Sequence, residues 1–297
     1  MIGLPLHLEI EQKEPGFEGF FGAWVVPGEV CLVVDVGPAN SADRLLAALE
    51  RERVDRIDYV LLTHIHIDHS GGLAAVLDRY PMARAICHEA GLRHVADPAK
   101  LWEGSRQVLK NLAEQYGRPG DVDPGKLIPH IANPVPGLEI LETPGHAPHH
   151  LSFTWQGRLF SGEAGGNLLR AGDRKYLRPA TPPRFFLQTA LDSVDKLLAL
   201  PDQPIYYAHF EQADSSRTML RRFRDQLLRW RDIIAAASSG DGPPAETEDR
   251  CVRALLDQDP ELSGVPGLPA AARKRELTFM ANSVRGYLGF LSEISGS

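Results

Sequence analysis

Residues 63–72 read Thr63-His64-Ile65-His66-Ile67-Asp68-His69-Ser70-Gly71-Gly72. No other stretch of the chain constrains its fold so tightly. Three imidazoles and a carboxylate fall within six residues, directly after the apolar run Ile57-Asp58-Tyr59-Val60-Leu61-Leu62. That run reads as a buried strand, and Gly71-Gly72 followed by Leu73–Leu77 reads as the start of a helix. The polar groups then sit at a strand's carboxyl end, where open α/β sheets place their sites. Imidazole and carboxylate are the ligand types that suit zinc, iron and manganese. In an extended segment side chains alternate, so His64, His66 and Asp68 are expected on one face and His69 at the turn beyond. One segment then feeds two neighbouring metal positions. A polar loop with chance histidines is the alternative, and the H-x-H-x-D-H order with such flanks argues against it.

Around this centre the chain alternates short strands with helices. Ala23–Val26 and Val30–Asp35 read as a hairpin across Pro27-Gly28. Ser41 is expected to cap a helix over Ala42–Arg51, where Leu45, Leu46 and Leu49 recur at helical spacing. Ala83–Cys87 reads as a strand and Lys100–Gln115 as one helix, with Leu101, Val108 and Leu112 on one side. Residues 117–137 and Gly162–Pro183 read as loops rich in Gly, Pro or Arg. Leu138–Glu142, the pair Leu151–Trp155 and Arg158–Ser161, and Ile205–Ala208 read as strands, and Arg184–Leu200 as a helix. Helical spacing then dominates, with Met219, Leu220, Phe223, Leu227, Trp230 and Ile234 in one long segment. A linker at Ser238–Pro244 and helices over Glu246–Asp257 and Ala270–Ser292 follow. The expected organisation is a catalytic domain over residues 1–212 and a helical extension over 213–297 packed on it.

Composition narrows the function classes. The 297 residues carry a formal net charge of −7, which gives no basic surplus to hold a phosphate backbone and speaks against nucleic acid. Cys31, Cys87 and Cys251 form no C-x-x-C pair, so neither a disulfide framework nor a thiolate zinc site is expected. Met1–Ile10 has no positive n-region and no long apolar core, and no apolar run approaches the length of a membrane span. A cytoplasmic protein without a membrane span is expected.

Three more segments share the grammar of an apolar strand followed by a metal-type ligand: His146 after Leu138–Glu142, Glu163 after Arg158–Ser161, and His209 after Ile205–Ala208. With Thr143-Pro144-Gly145-His146, the Ser161-Gly162-Glu163 turn and Tyr207-Ala208-His209-Phe210, the chain resembles the metallo-β-lactamase superfamily over roughly residues 18–210. Its helical tail is similar to that of glyoxalase II-like members, and Arg178–Pro183 resembles a subgroup of small hydrolases related to lactonases. The resemblance implies an α/β fold of α+β type, an αββα sandwich with a dinuclear site between the sheets. It implies that His64, His66 and His146 hold one divalent ion, that Asp68, His69 and His209 hold another, and that residue 163 bridges them. Zinc is the expected metal, with iron or manganese as alternatives. Most members carry aspartate where this chain has Glu163, whose extra methylene adds roughly 1.5 Å of reach. Many have glycine where this chain has His149; with His150 it adds imidazoles near the site.

The expected function is a hydrolase that uses a metal-bound hydroxide to cleave a carboxylic ester, thioester or lactone, with Asp68 orienting the nucleophile and receiving its proton. No G-x-S-x-G elbow and no Walker loop offers another nucleophile or site. Tyr176, Arg178, His149 and Phe20 are candidate contacts to a small-molecule substrate. Phe17, Phe20 and Phe21 form an apolar lip over the site or, on the blander reading, pack in the core or at a homodimer contact. Two further readings are a mononuclear iron enzyme resembling the persulfide dioxygenases and, behind it, a nuclease or phosphodiesterase. The first uses fewer ligands than are present here. A purely structural metal site fits poorly, since closed zinc sites are rich in thiolate.

Overall fold

The computed structural model describes residues 4–209, 211–239 and 243–295. Phe210 and residues 240–242 of the expected linker at Ser238–Pro244 lie outside those residues. The first sheet holds β1 (Leu6–Glu9), β2 (Gly22–Val26), β3 (Leu32–Val34), β4 (Tyr59–Leu61), β5 (Arg84–Cys87) and β6 (Leu127–Pro129), paired in that order. β1, β2 and β3 are antiparallel, and β3 through β6 run parallel. The second sheet begins with β7 (Glu139–Glu142), β8 (Leu151–Thr154) and β9 (Leu159–Gly162). A separate ribbon of β10 (Asn167–Ala171) and β11 (Arg174–Arg178) intervenes before β12 (Ile205–Tyr207) and β13 (Gln212–Ala213) complete the order β13-β12-β9-β8-β7.

Alternation along the strands explains the layering. Trp24, Val26, Leu32, Val34, Leu61 and Ile86 from the first sheet pack with Leu151, Phe153, Phe160 and Tyr206 from the second in one buried cluster. The intervening residues Val25, Val33, Val60 and Ala85 face the other way, into a cluster with Leu45, Leu49, Val76 and Leu77. Those four belong to α1 (Ala42–Arg51) and α3 (Leu73–Arg79), with the short α2 (Ile67–Ser70) between them. The Trp24 indole N–H donates to the Tyr207 carbonyl at 2.8 Å, which ties the two sheets together at the rim.

The remaining helices are α4 (Leu92–Ala96), α5 (Ala99–Leu109), α6 (Asn111–Tyr116), α7 (Leu187–Leu198), α8 (Ser216–Ser238), α9 (Pro244–Gln258) and α10 (Ala270–Ser295). Leu191, Val194 and Leu197 of α7 and Leu220, Phe223 and Leu227 of α8 share a core with Leu159, Ile205 and Tyr207 of the second sheet. The C-terminal helices thus complete an αββα sandwich instead of forming a separate core. No described helix is long and apolar enough to cross a membrane.

Four local expectations give way. The single helix over Lys100–Gln115 is two, α5 and α6, broken at Lys110, whose φ of 53° lies in the left-handed region. The loop over 117–137 contains β6, because Leu127 and Ile128 find a partner edge on β5. The Gly162–Pro183 loop contains the β10–β11 ribbon, whose pairing Asn167 to Arg178 is not announced by alternation. Ser41 precedes α1 but does not cap it by its side chain, since its hydroxyl donates to the Pro38 carbonyl instead.

Candidate metal centre

Each strand end delivers its polar group to one cleft. β4 stops at Leu61, and after it the carboxylate of Asp35 takes both the Thr63 N–H and the Thr63 hydroxyl, each at 2.8 Å. The chain then turns into α2, where the His69 and Ser70 N–H groups donate to the His66 carbonyl. The extended alternation expected through Asp68 therefore ends at His66. Asp68 and His69 occupy a helical turn, which leaves Asp68 Oδ2 3.7 Å from His69 Nε2.

The ring nitrogens show what the cleft is prepared to hold. The Thr63 hydroxyl donates its proton to Asp35, so at its 3.0 Å contact with His64 Nδ1 it accepts. His64 Nδ1 is thereby protonated and Nε2 is left bare. His69 Nδ1–H donates to Asp35 at 3.0 Å, His146 Nδ1–H to the Ala180 carbonyl at 2.7 Å, and His209 Nδ1–H to the Phe20 carbonyl at 3.2 Å. Ligating histidines are held this way, with the outer N–H anchored and the inner nitrogen free. His64 Nε2 and His69 Nε2 are buried with no partner among the described residues.

The inner donors fall into overlapping sets: His64, His66 and His146; His64, His69 and Glu163; and Asp68, His69 and His209. Within each set the donor atoms lie within 4.8 Å of one another. Donors on one tetrahedral ion with bonds near 2.1 Å stand roughly 3.4 Å apart. Glu163 Oε2 lies 2.7 Å from His146 Nε2, 3.5 Å from His64 Nε2 and 3.8 Å from His69 Nε2, while Oε1 lies 3.4 Å from His209 Nε2. The bare nitrogens, the spacing and the mixed imidazole and carboxylate set fit divalent cations.

Glu163 is held from behind. Its N–H donates to His150 Nε2 at 3.0 Å, so His150 Nδ1 carries a proton and donates to the Thr143 hydroxyl at 2.9 Å. Asn167 Nδ2 donates to Oε1 at 2.9 Å. Gly162, at φ +56°, makes the approach feasible, since a Cβ there would stand 2.4 Å from His150 Nε2. The longer side chain is thus set back on a left-handed turn, and each carboxylate oxygen faces a different group of imidazoles.

Charge within the cleft is strongly coupled. Burial, followed by the neighbouring imidazoles, holds His64 and His66 well below the ordinary histidine range. Burial acts on His69 too, but the Asp68, Asp35 and Glu163 carboxylates outweigh it and push the group up to about 9. Burial opposes ionisation of Glu163, yet His146 and His209 hold its carboxyl well below the usual range.

The sequence-derived substrate candidates separate. Phe20, His149 and Arg178 line the cavity above the cleft. Tyr176 is not among the residues that line it: the ring is 1 % exposed and its hydroxyl meets Arg275 at 3.5 Å. Arg178 is locked to Glu276 through Nε at 2.5 Å. Phe17 and Phe21 pack in the core beside Tyr116, and only Phe20 of the three lines the cavity. Sequence reasoning missed Asp35, which has φ +56° at the end of its strand, and also Tyr116, whose buried hydroxyl has no partner among the described residues although the residue lines the cavity. A strand-ending carboxylate before Val36-Gly37 was the available signal for Asp35; Tyr116 offered none.

A further group, His88, His130 and Glu142, has the composition of a metal site. Here both Nδ1 atoms accept backbone N–H bonds, His88 from Ala90 at 3.1 Å and His130 from Glu89 at 3.2 Å. Both Nε2 atoms therefore carry protons toward Glu142, and the group is a hydrogen-bonded cluster whose imidazoles offer no lone pair to a cation.

Residues 23–209 match the metallo-beta-lactamase superfamily model. The chain is 31% identical over 189 residues to the hydroxyacylglutathione hydrolase of Aeromonas salmonicida, a match covering 63% of this chain and 60% of that protein. It thus spans less than two thirds of that relative's length. It is 27% identical over 199 residues to an N-acyl homoserine lactonase of a Bacillus species, covering 64% of this chain and 69% of the lactonase. Among solved structures, a metallo-beta-lactamase family protein from Thermus thermophilus superposes with TM-score 0.65 at 20% identity, over 98% of this chain and 94% of that one. An archaeal superfamily protein from Sulfolobus tokodaii gives TM-score 0.61 at 22% identity, over 88% and 97%. The two superpositions carry the fold.

Proposed function

Because the chain belongs to the metallo-β-lactamase superfamily, we propose that it is a metal-dependent hydrolase of a carboxylic ester, thioester or lactone. The observation that supports this most is the pair of buried ring nitrogens on His64 and His69 that lie beside the Glu163 carboxylate with no hydrogen-bond partner among the described residues. His64, His66 and His146 would hold one ion and Asp68, His69 and His209 a second, with Glu163 between the sets; zinc suits these donors. Bound there, divalent ions supply an acidified water and a Lewis acid for the substrate carbonyl.

The chain's own groups do the rest. Asp68 keeps a side chain 20% exposed at the cavity floor, the one donor carboxylate open enough to receive the attacking water's proton. Tyr116 stays protonated, because burial and then the Asp68 carboxylate push its phenol well above the ordinary range. It is a neutral donor to the carbonyl oxygen or the leaving atom. Phe20 and Phe279, stacked at 5.7 Å, give the cavity an apolar lining. Both named activities among the relatives, on a glutathione thioester and on a lactone, break an acyl bond to sulfur or oxygen. The complete two-group donor set supports hydrolysis over single-iron oxygenation.

Asp68→Ala is the test. Metal content, measured after purification, should fall and turnover of an ester, thioester and lactone panel should drop roughly 10²-fold or more. An Asp68→Ala protein with full metal and full turnover refutes the reading.

A further inference from the structure

The metal cleft opens into a cavity of about 610 Å³, within the size range of small-molecule sites. His66, Asp68, His146, Glu163 and His209 lie at one end. Part of the wall is α5. Leu101, Gly104, Ser105 and Val108 of this helix line the cavity, and their spacing of three, four and seven residues puts them on one face.

That face is only partly covered by the protein: Leu101 is half-buried against the core, while Gly104 and Val108 are exposed. No residue of α5 is buried, and Val108 is 62% exposed, although an amphipathic helix of this kind ordinarily buries its apolar stripe. Gly104 sits mid-helix, where glycine costs about 1 kcal/mol relative to alanine. Packing does not require it: a Cβ there would have nothing within 4 Å. Between Leu101 and Val108 the helix therefore carries a notch, and the notch opens on the same cavity as the metal ligands. Ile65, Ile67 and Phe279 continue the apolar surface.

The charged lining points the same way. The Arg178 guanidinium is already paired with Glu276, which is fully buried, and it also donates to the Pro179 carbonyl. Lys100 and His94 remain at the cavity mouth. A ligand with several carboxylates ordinarily meets guanidinium groups in bidentate geometry, and the one arginine among the described lining residues, Arg178, is engaged by Glu276.

We propose that the notch on α5 receives an uncharged, medium-length hydrocarbon chain, so that the scissile bond belongs to an apolar acyl or alkyl ester, thioester or lactone. The proposal rests on the hydrolase reading for its reaction but not for its ligand. The chain lies across Gly104 between Leu101 and Val108, and its carbonyl end reaches the metal ligands.

Two measurements on the full chain test it. In an acetyl-to-octanoyl ester series, kcat/KM should rise up to about fourfold per methylene, the full transfer value of one CH2. Gly104→Leu fills the notch with a better helix former, so folding is preserved; the octanoyl-to-acetyl ratio should fall tenfold or more. Calorimetry with octanamide should show binding with a negative heat-capacity change, weakened tenfold by the same variant. A flat chain-length profile, an unchanged ratio in Gly104→Leu, or preference for S-lactoylglutathione over the octanoyl ester overturns the proposal while hydrolysis stands. Octanamide binding that depends on Gly104, in a protein that turns over no acyl substrate, supports the notch and defeats the hydrolase reading. Absence of both binding and turnover defeats both.

Discussion

Tyr116 condenses what a single residue can and cannot disclose. Its ring packs edge-on against Phe21 at 5.3 Å, and its hydroxyl is buried without a partner among the described residues. A buried, unpartnered hydroxyl is a cost to folding, on the order of 1–3 kcal/mol. If the hydroxyl were only a structural leftover, Tyr116→Phe would leave turnover alone and hold or raise stability. We expect the variant to keep metal content and melting temperature but lose roughly tenfold or more in kcat. Unchanged kcat would remove Tyr116 from the reaction. The candidate metal ligands were readable because donor type and local spacing are printed in the chain, as in His64, His66, Asp68 and His69. The groups that orient them were not. Asp35 reaches Thr63 and His69 across 28 and 34 residues, and His150 reaches the Glu163 N–H across 13, so their roles exist only once the strands have paired.

Elements were legible where burial imposed a period. α1, α7 and the paired β8 and β9 fall close to their expected bounds, and α8 contains the whole helically spaced set from Met219 to Ile234, since each presents one apolar face to one core. Periodicity failed where a segment faces something other than the core. α5 has an apolar stripe turned to the cavity, so the pattern ran on into α6 and concealed the break between them. At that break Lys110 has φ 53° and ψ −123°, a conformation that suits glycine and costs other residues of order 1–3 kcal/mol. Lys110→Gly should therefore stabilise the protein by about 1 kcal/mol, seen as a rise of roughly 2–3 °C in melting temperature. A lowered melting temperature would mean that the Lys110 side chain contributes more than its backbone costs. β6 and the β10–β11 ribbon stayed hidden for a related reason: edge or isolated strands of three to five residues carry too few alternations to stand out from loop.

Across the whole molecule, one titrating group should leave a mark on stability. His7 on β1 lies against Trp24 at 4.7 Å, and burial lowers its pKa to about 4. The unfolded chain takes up that proton near pH 6.5 and the folded protein refuses it until about pH 4. Stability from this group is complete above pH 6.5 and falls as the pH drops through that window, by at most about 3 kcal/mol. Urea unfolding of metal-free protein at pH 7 and pH 4.5 should show a larger loss for wild type than for His7→Gln. Parallel losses would assign the acid sensitivity elsewhere. At this scale too, α10 returns to the part of the chain that carries the candidate site. Phe279, Asn282 and Ser283 line the cavity, and Glu276 neutralises Arg178. At Gly286 a Cβ would stand 2.2 Å from the Pro182 carbonyl oxygen, so the helix seats directly on the loop after β11.

By itself the sequence determined the donor chemistry, the order of strand-end ligands and the layered class of fold. Those depend on residue type and on short-range period, which survive in a linear string. Tertiary structure alone decided which imidazole nitrogen faces inward, how Glu163 divides its two oxygens between the candidate ligand groups, that Tyr176 stays out of the cavity, and that α5 turns Gly104 and Val108 to the cavity. Each of these is set by contacts between segments far apart in the chain, where direction and distance are properties of packing.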